Sequence, residues 1–380
     1  MQIKPKTIIS VTNDLVTDQR VRKVCEYLDK KGFEVTLVGR KLPNSLPIPE
    51  QWNYKTKRFP LWFKKGPLFY ATYNLRLFFY LLFKKADVLV SNDLDTLYAN
   101  TWARKFKKNC ALVYDSHEYY CGTPELISRP KVQNFWRRIE RKCVPKADEM
   151  ITVNESIADM YRKEYTRTVH VVRNITDANF PKPTKTRTDL GLPEDKKVVI
   201  MQGAGINIQR GAEEMIEAIQ KVDNAVLAIV GDGDVVPDLK RAVADNKWQD
   251  KVLFFGKRPY AELMNFTALS DVGVSLDKNT NVNYQFSLPN KIFDYIHAGI
   301  PLLVSDLKEV AAIVRDHEVG LVTNSHEIEE IAQKLNSLFQ DEELQQKFRA
   351  NTIEAAKSLN WAKETEVLDE VYLQFLKQHG

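Results

Sequence analysis

The sequence predicts an α/β protein made of two doubly wound domains, and three observations lead there. Short β-branched runs alternate with amphipathic helical patterns, as in parallel sheets covered on both faces. A stretch at 177–197 with Pro181, Pro183, Pro193 and many charges interrupts that pattern, which then restarts. Charge divides at the same place. Residues 1–180 carry 32 Lys/Arg against 19 Asp/Glu, a net +13, and residues 181–380 carry 23 against 31, a net −8, so the overall +5 describes neither half. A chain of 380 residues suits two cores rather than one. The expected divisions are 1–178, 179–360 and a closing segment 361–380.

In the first half, strands are expected at Thr7–Thr12, Phe33–Gly39, Asp87–Val90, Cys110–Tyr114, Glu149–Val153 and Val169–Val172. Helices are expected through Val21, Val24, Cys25 and Leu28 to Gly32, then around 95–107, 131–143 and 154–164. In the second half, strands fall at Val198–Met201, Ala225–Val230, Val252–Phe255, Asp271–Ser275 and Ile300–Val304. Helices follow Gly211, span 235–246, begin at Tyr260 and run from Pro289 to His297. The strand at 300–304 closes the series before two or three final helices. Two such domains offer a cleft at the carboxyl ends of their strands, where open α/β sheets bind ligands.

With 44% hydrophobic and 28% charged residues the chain is neither disordered nor collagen-like. Cys25, Cys110, Cys121 and Cys143 form no C-x-x-C pair, which points to a reducing, cytoplasmic compartment. The start, Met1–Ser10, has too short an apolar run for a signal peptide. No apolar run approaches the roughly 18 residues of a membrane span.

The sharpest motif is Ser287-Leu-Pro-Asn-Lys-Ile-Phe-Asp-Tyr-Ile-His-Ala-Gly-Ile-Pro301. Its proline opens a helix whose first N–H groups form an anion site, with Lys291 adding positive charge. Asp294 shares a face with Asn290 and Lys291, within reach of a ribose. The alternative is a capped helix with a solvated Lys and Asp. A second cluster, Gln202-Gly-Ala-Gly-Ile-Asn-Ile-Gln-Arg-Gly211, follows a strand and places Gly203, Gly205 and Arg210 where a helix begins. Gly231-Asp-Gly233 is a third strand-end pair. Neither cluster has the spacing of the dinucleotide fingerprint, and each could be only a tight turn.

In order, Q-G-x₇-R-G from Gln202, V-G-x-G at Val230–Gly233, V-x-F-x-G at Val252–Gly256 and S-L-P-N-K-x-F-D-Y at Ser287–Tyr295 resemble glycosyltransferase family 4. Asp18-Gln-Arg-Val21, Asn92-Asp93, Asp115-Ser-His-Glu118 and Asn174 extend the resemblance into the first half. It implies the GT-B architecture, two Rossmann-like domains facing a central cleft, with a C-terminal helix near Trp361 returning to the first. It also implies sugar transfer from a nucleotide donor with retention and without a metal. The N-terminal domain would bind the acceptor and the C-terminal domain the nucleotide sugar.

Carried over by position, Lys291 and Arg210 would stabilise the diphosphate. Asp294 would hold the ribose, and Gly203, Gly205, Gly231, Gly233, Ser287, Leu288 and Asn290 would complete the donor site. His117 would face the reacting centre, while Asp18, Arg20, Asp93 and Glu118 would lie on the acceptor side. The other histidines (170, 297, 317, 326 and 379) carry structural or surface readings. Two departures stand out. Ala204 occupies a position where many members have Arg, and Phe286 replaces the first of two Glu residues, leaving only Asp294. Asp93-Leu-Asp95 and Asp232-Gly-Asp234 are chance-level D-x-D triplets and are not read as metal sites. Asp95 is read as a helix cap.

Between Glu50 and Asp87 no acidic residue occurs, while eight Lys/Arg and twelve aromatics do. Basic charges among rings suit an anionic bilayer surface, so residues 52–85 are read as a membrane contact, ahead of core aromatics with merely solvated charges and of a nucleic-acid site. The expected protein is a cytoplasmic glycosyltransferase at the inner membrane face, acting on a glycan or lipid-linked acceptor. A nucleotide-sugar 2-epimerase and a non-catalytic nucleotide-sugar-binding module are the alternatives.

Overall fold

The computed structural model describes residues 4–16, 18–177 and 182–377. The expected boundary at 178/179, Pro181, the first three residues and His379 lie outside them. Contacts divide the chain into two units, residues 1–173 with 364–380, and residues 174–363.

The first unit contains β1 (Lys6–Ser10), α1 (Gln19–Lys30), β2 (Glu34–Lys41), β3 (Lys55–Pro60), α2 (Gly66–Phe83), β4 (Val88–Asn92), α3 (Leu94–Arg104) and β5 (Ala111–Ser116). It continues with α4 (Pro124–Ile127), α5 (Pro130–Cys143), β6 (Glu149–Thr152), α6 (Glu155–Tyr165) and β7 (His170–Val171). The second unit has α7 (Arg187–Leu190), β8 (Lys197–Gly203), α8 (Ala212–Ala218), β9 (Ala225–Gly231), α9 (Val236–Asp245), β10 (Val252–Phe254) and α10 (Tyr260–Ala268). Then come β11 (Val272–Ser275), α11 (Val282–Gln285), α12 (Lys291–Ala298), β12 (Leu302–Ser305), α13 (Lys308–Asp316), β13 (Gly320–Thr323), α14 (Ile328–Gln340) and α15 (Glu342–Ser358). The last helix, α16, spans Trp361–Lys377.

Both sheets are parallel throughout. Their orders are β3-β2-β1-β4-β5-β6-β7 and β10-β9-β8-β11-β12-β13. In each, the chain reverses its direction of winding beside the first strand, between β1 and β4 and between β8 and β11. That switch point is where open α/β sheets leave a crevice at their carboxyl edge. The central strands are buried on both faces, β4 and β9 completely, which explains their unbroken apolar runs.

Three elements depart from the sequence expectation. β3 and α2 fill the acid-free window, where the sequence pattern predicts no strand or helix. α2 is apolar around most of its circumference, so it shows no 3.6-residue stripe to detect. The series does not close at β12, because β13 adds a sixth strand, four residues long and opened by Gly320. The window itself is divided. Phe59, Phe69 and Tyr73 are buried core, whereas Trp62 is 96% and Phe83 80% exposed. Among the described residues no helix is long and apolar enough to cross a membrane.

α16 is tied to the first unit by its sequence chemistry. Glu364 accepts from the Arg173 backbone and guanidinium at 2.6 to 2.8 Å, and Asp369 accepts from Tyr27 Oη at 2.6 Å. Tyr372, fully buried, meets the Phe33 ring edge-on. In the second unit the latter part of the Pro-rich stretch is docked rather than loose. Thr186 and Asp189 form a capping box on α7, and Arg187 binds Asp271 at 2.7 Å.

Strand-end glycines lock the second sheet's loops. A Cβ on Gly231 would meet the Gly203 carbonyl oxygen at 1.9 Å, and one on Gly233 the Ile206 carbonyl oxygen at 2.0 Å. Two backbone hydrogen bonds, Asp232 N to Gly203 O and Ile206 N to Asp232 O, hold that approach. Gly231→Ala should therefore destabilise the protein by about 2 kcal/mol or more. A denaturant melt with an unchanged midpoint would contradict this.

Candidate active site

In the second unit the β8–α8 loop and the segment after β11 meet across the switch point. Arg210 Nη1 lies 2.6 Å from Asp277 Oδ2, and its guanidinium stacks 4.5 Å from the Tyr284 ring centroid. Ser287 Oγ donates to the same Asp277 oxygen at 3.2 Å. Asp277 is buried, and its other oxygen has no partner. The sequence reading passed it over because a lone Asp two residues beyond a strand carries no motif. Its value comes only from what folds onto it.

Lys291 opens α12, whose start has no side-chain cap, since Asn290 is exposed and makes no capping bond. The Lys291 ammonium is half-buried and has no hydrogen-bond or ion-pair partner among the described residues. Burial pushes its pKa down from 10.5, against the attraction of Asp277 and together with the repulsion of Arg210. A cation without a direct partner at a helix start is what an anion needs. Ser287 and Leu288 are half-buried just before it.

The strand-end glycines divide into two kinds. Gly231 and Gly233 are explained by backbone contact alone. Gly205 is different, for a Cβ there would meet only Asn207 Nδ2, at 3.7 Å, so the space beside it is open to a ligand. Gly203 has φ +148°, outside the range most residues adopt.

Asp294 does not point at open space. Its carboxylate accepts from Thr176 Oγ1 (2.7 Å), Tyr260 Oη (2.8 Å) and Gln202 Nε2 (3.1 Å). Gln202 in turn accepts from Thr267 at 2.6 Å. The ribose contact expected of Asp294 thus gives way to an internal tie joining α12, β8, α10 and the segment after the first unit. With three donors in place, most of its lone-pair directions are used. Phe286, in the place of the expected Glu, sits 5.8 Å under the Lys308 ammonium.

In the first unit, β4 and β5 end side by side and deliver Asn92, Asp93, Asp115 and His117 to the carboxyl edge. His117 Nε2 contacts Asn92 Oδ1 at 3.1 Å. Its Nδ1 lies 3.6 Å from Asp93, and its backbone N–H donates to Asp93 Oδ1 at 2.9 Å. Burial opposes the charged imidazole, but Asp93 and Asp115 outweigh it and lift the pKa to about 9. At neutral pH His117 is an imidazolium, a donor and not a base. Asp93 holds its place with φ +56° and ψ 168°, a conformation normally left to glycine and costing about 1–3 kcal/mol. Strain of that kind concentrates at working sites.

Asp18 and Arg20, expected on the acceptor side, border this group, Asp18 by its charge near Asp93 and Arg20 through Asp115. Asp18 caps α1 by accepting from Val21 N at 3.1 Å. Arg20 is buried, donating to Asp115 at 2.7 Å and to the Val172 carbonyl at 2.6 Å. It holds the pKa of Asp115 well below the usual carboxylate range despite burial, with His117 helping, while its own charge weighs against that of His117. Glu118 and Asp93 do line a groove at this edge, and so does Asp95. Asp95 does not cap α3, because its carboxylate accepts from Thr12 Oγ1 at 2.6 Å across the switch point. Burial, with Asp93 nearby, raises both Asp95 and Glu118 to about 7.

Of the other histidines, His170 contacts Glu149, His297 the Leu359 carbonyl, and His326 both Ser305 and the Leu276 carbonyl. These are structural contacts. The four cysteines are buried free thiols. Among the described residues no three His, Cys, Asp or Glu side chains gather as a metal site.

Residues 183–355 match the glycosyl transferases group 1 family, and residues 18–180 match Glycosyltransferase Family 4. The chain belongs to these glycosyltransferases. Relatives of this glycosyltransferase include the lipopolysaccharide core biosynthesis glycosyltransferase LpsD of Rhizobium meliloti, 26% identical over 50% of this chain and 53% of that protein. The alpha-D-kanosaminyltransferase of Streptomyces kanamyceticus is 22% identical over 62% of each chain. The chitobiosyldiphosphodolichol beta-mannosyltransferase of Candida albicans is 21% identical over 44% of this chain and 39% of that one. The matches thus span between 39% and 62% of these relatives' lengths. Among solved structures, a sucrose-phosphate synthase from Thermosynechococcus elongatus superposes with a TM-score of 0.80 at 18% identity, covering 99% of this chain and 100% of that one. Anabaena HepE in complex with UDP-glucose gives 0.75 at 16%, covering 97% and 99%. These likenesses show the GT-B fold.

The imidazolium assignment makes a direct prediction. The His117 ring should titrate near pH 9 by NMR, and Asp93→Asn should return it toward 6.5. Because the folded value is raised, this group's stabilisation is present in full below pH 6.5 and is lost as pH rises through about 9. A parent titration near 6.5 would overturn the assignment.

Proposed function

We propose that this glycosyltransferase moves a sugar from a nucleotide-sugar donor, bound by the second unit, to a glycan or lipid-linked acceptor bound by the first. The observation that carries this reading is the gathering of Arg210, Lys291 and the uncapped start of α12 around the β8/β11 switch point. There, two cations and a set of N–H groups await a diphosphate, with no direct hydrogen-bond or ion-pair partner for Lys291 among the described residues. As the donor bond breaks, charge builds on the leaving diphosphate, and groups already in place stabilise it at no cost in reorganisation. Arg210 is aimed by Asp277 and Tyr284, so its orientation does not depend on the ligand. Open space at Gly205 admits the phosphate close to the β8–α8 loop.

The reaction is read as retaining. His117, held as an imidazolium, cannot take the acceptor proton, and the donor phosphate itself fills that role while the sugar is attacked on its departing face. His117 instead donates to a sugar oxygen. The positive charge of Lys291, Arg210 and α12 makes a metal unnecessary. A second reading, isomerisation of the donor by a 2-epimerase, draws on Asp95 and Glu118, whose pKa values near 7 suit proton exchange. Products from a panel of UDP-, GDP- and ADP-sugars separate the two, since transferred or hydrolysed sugar supports the first and isomerised donor the second.

Lys291→Ala should lower kcat/KM by about 10²-fold or more, with activity surviving exhaustive chelation. A near-normal value, or activity lost to chelator and restored by Mg²⁺ or Mn²⁺, would reject the assignment.

We further propose that the protein works at the cytoplasmic face of the membrane, in glycan or polysaccharide synthesis. Support comes from Trp62, Phe63, Phe79 and Phe83, exposed beside the exposed Lys64, Lys65, Lys84 and Lys85. Replacing these four lysines by Gln should weaken sedimentation with anionic liposomes in a salt-sensitive way. A parent protein that ignores such liposomes at low salt would contradict the placement.

A further inference from the structure

The first unit contains a groove of about 1460 Å³ walled by α2, α3 and α5. It exceeds the ~300–1,000 Å³ of ordinary small-molecule clefts. Its chemistry is ordered by topology. In a parallel sheet every crossover helix starts at the carboxyl edge, so the starts of all three helices lie toward the edge where Asp93 lines the groove with them. The groove's polar residues sit at those starts: Lys65 before α2, Asp95 in the first turn of α3, and Arg129 before α5.

Farther along, each helix lays an apolar stripe on the groove at three- and four-residue spacing. These are Tyr70, Ala71, Leu75 and Phe78 on α2, Tyr98 and Trp102 on α3, and Val132, Phe135, Trp136 and Ile139 on α5; Asn74, the polar residue among them, is tied to the Asp95 carbonyl at 2.7 Å. Leu75 is 58%, Phe135 55% and Val132 39% exposed, so the stripes lack a covering partner among the described residues.

The head end is equally specific. Asp95 is buried, and one of its carboxylate oxygens has no hydrogen-bond partner although the residue lines the groove. Glu118 lines it too, and among the described residues no hydrogen bond reaches its carboxylate. Around them stand Arg40, Lys64, Lys65 and Arg129. Arg40 is itself held over the Phe69 ring at 4.9 Å. Carboxylates that accept hydroxyls, cations that accept phosphate and a long aromatic trough form one amphipathic sequence. A peptide or a free oligosaccharide would leave one of the three unmatched.

We infer that this groove binds the hydrocarbon chain of a lipid-linked phosphate acceptor. The sugar hydroxyls then lie at Asp95 and Glu118, and the phosphate lies among Arg40, Lys64, Lys65 and Arg129. The inference rests on the glycosyltransferase reading for the identity of the ligand, but its test reads binding alone.

Farnesyl diphosphate and inorganic pyrophosphate serve as probes, with binding to the intact protein measured by calorimetry. The chain should tighten binding by about 10-fold or more over pyrophosphate, as burial of several methylene groups requires. Val132→Ser with Phe135→Ser, both on the exposed face of α5, should abolish most of that gain. Ala71→Trp, which fills the groove from α2, should do the same. Both variants should keep the parent's thermal shifts with UDP, GDP or ADP, which report on the second unit. Equal affinity for the two probes, or variants that bind farnesyl diphosphate like the parent, would overturn the chain site. So would variants that lose binding to phosphatidylglycerol vesicles while holding farnesyl diphosphate normally, since the stripes would then form a bilayer contact. Intact, variant-sensitive probe binding in a protein that turns over no nucleotide sugar would support the chain site and count against the transfer reading.

Discussion

Every strand in both sheets runs the same way, so every strand delivers the loop that follows it to one edge. That constraint governs where chemistry can gather. In the first unit it brings the ends of β1, β4 and β5 together, and with them Thr12, Asp93, Asp95 and His117. In the second it brings the ends of β8, β9 and β11 together, with the strand-end glycines, Arg210 and Asp277. The same directionality starts α2, α3 and α5 at that edge and lets their apolar faces extend from it. Neither site needs a dedicated scaffold beyond the winding of the sheet.

Charge at each edge is fixed from beneath by an ion pair on a buried carboxylate. Arg20 with Asp115 supports His117, and Asp277 with Arg210 sets the donor side. Such pairs gain little net stability, because desolvation opposes their attraction, yet losing one partner leaves the other charge stranded at a cost of about 3–5 kcal/mol. Their contribution is better seen as placement. Arg20 makes Asp115 an obligate anion, which in turn helps keep His117 protonated. Asp277 leaves Arg210 aimed and Lys291 unclaimed. The −8 half of the chain can hold a polyanion for this reason, since local geometry outweighs net charge over a few ångströms.

Much of this was legible in the amino-acid order. The alternation of β-branched runs and helical patterns located eleven of the thirteen strands among the described residues, all but β3 and β13, and the motif at Ser287–Tyr295 marked the start of α12. What escaped did so for physical reasons. α2 is too uniformly apolar to show a period, and β3 lies among charges that alternate only weakly with its core residue Phe59. Burial of a charged side chain leaves no trace in sequence, so Arg20 read as an acceptor-side residue rather than the buried partner of Asp115, and Asp277 as nothing. The resemblance carried Asp294 to a ribose, but only the packed structure shows Thr176, Tyr260 and Gln202 already occupying its carboxylate. Gly231 and Gly205 look alike in the chain, yet one is closed by backbone and the other faces open space.

The account stands on the claim that the second unit's switch point receives a nucleotide diphosphate. Hydrogen–deuterium exchange with UDP, GDP and ADP tests it most directly. With one of them, protection should appear at 203–211 and at 287–294, and Lys291→Ala should weaken it. Protection confined to other segments, or none with any of the three, would contradict the account.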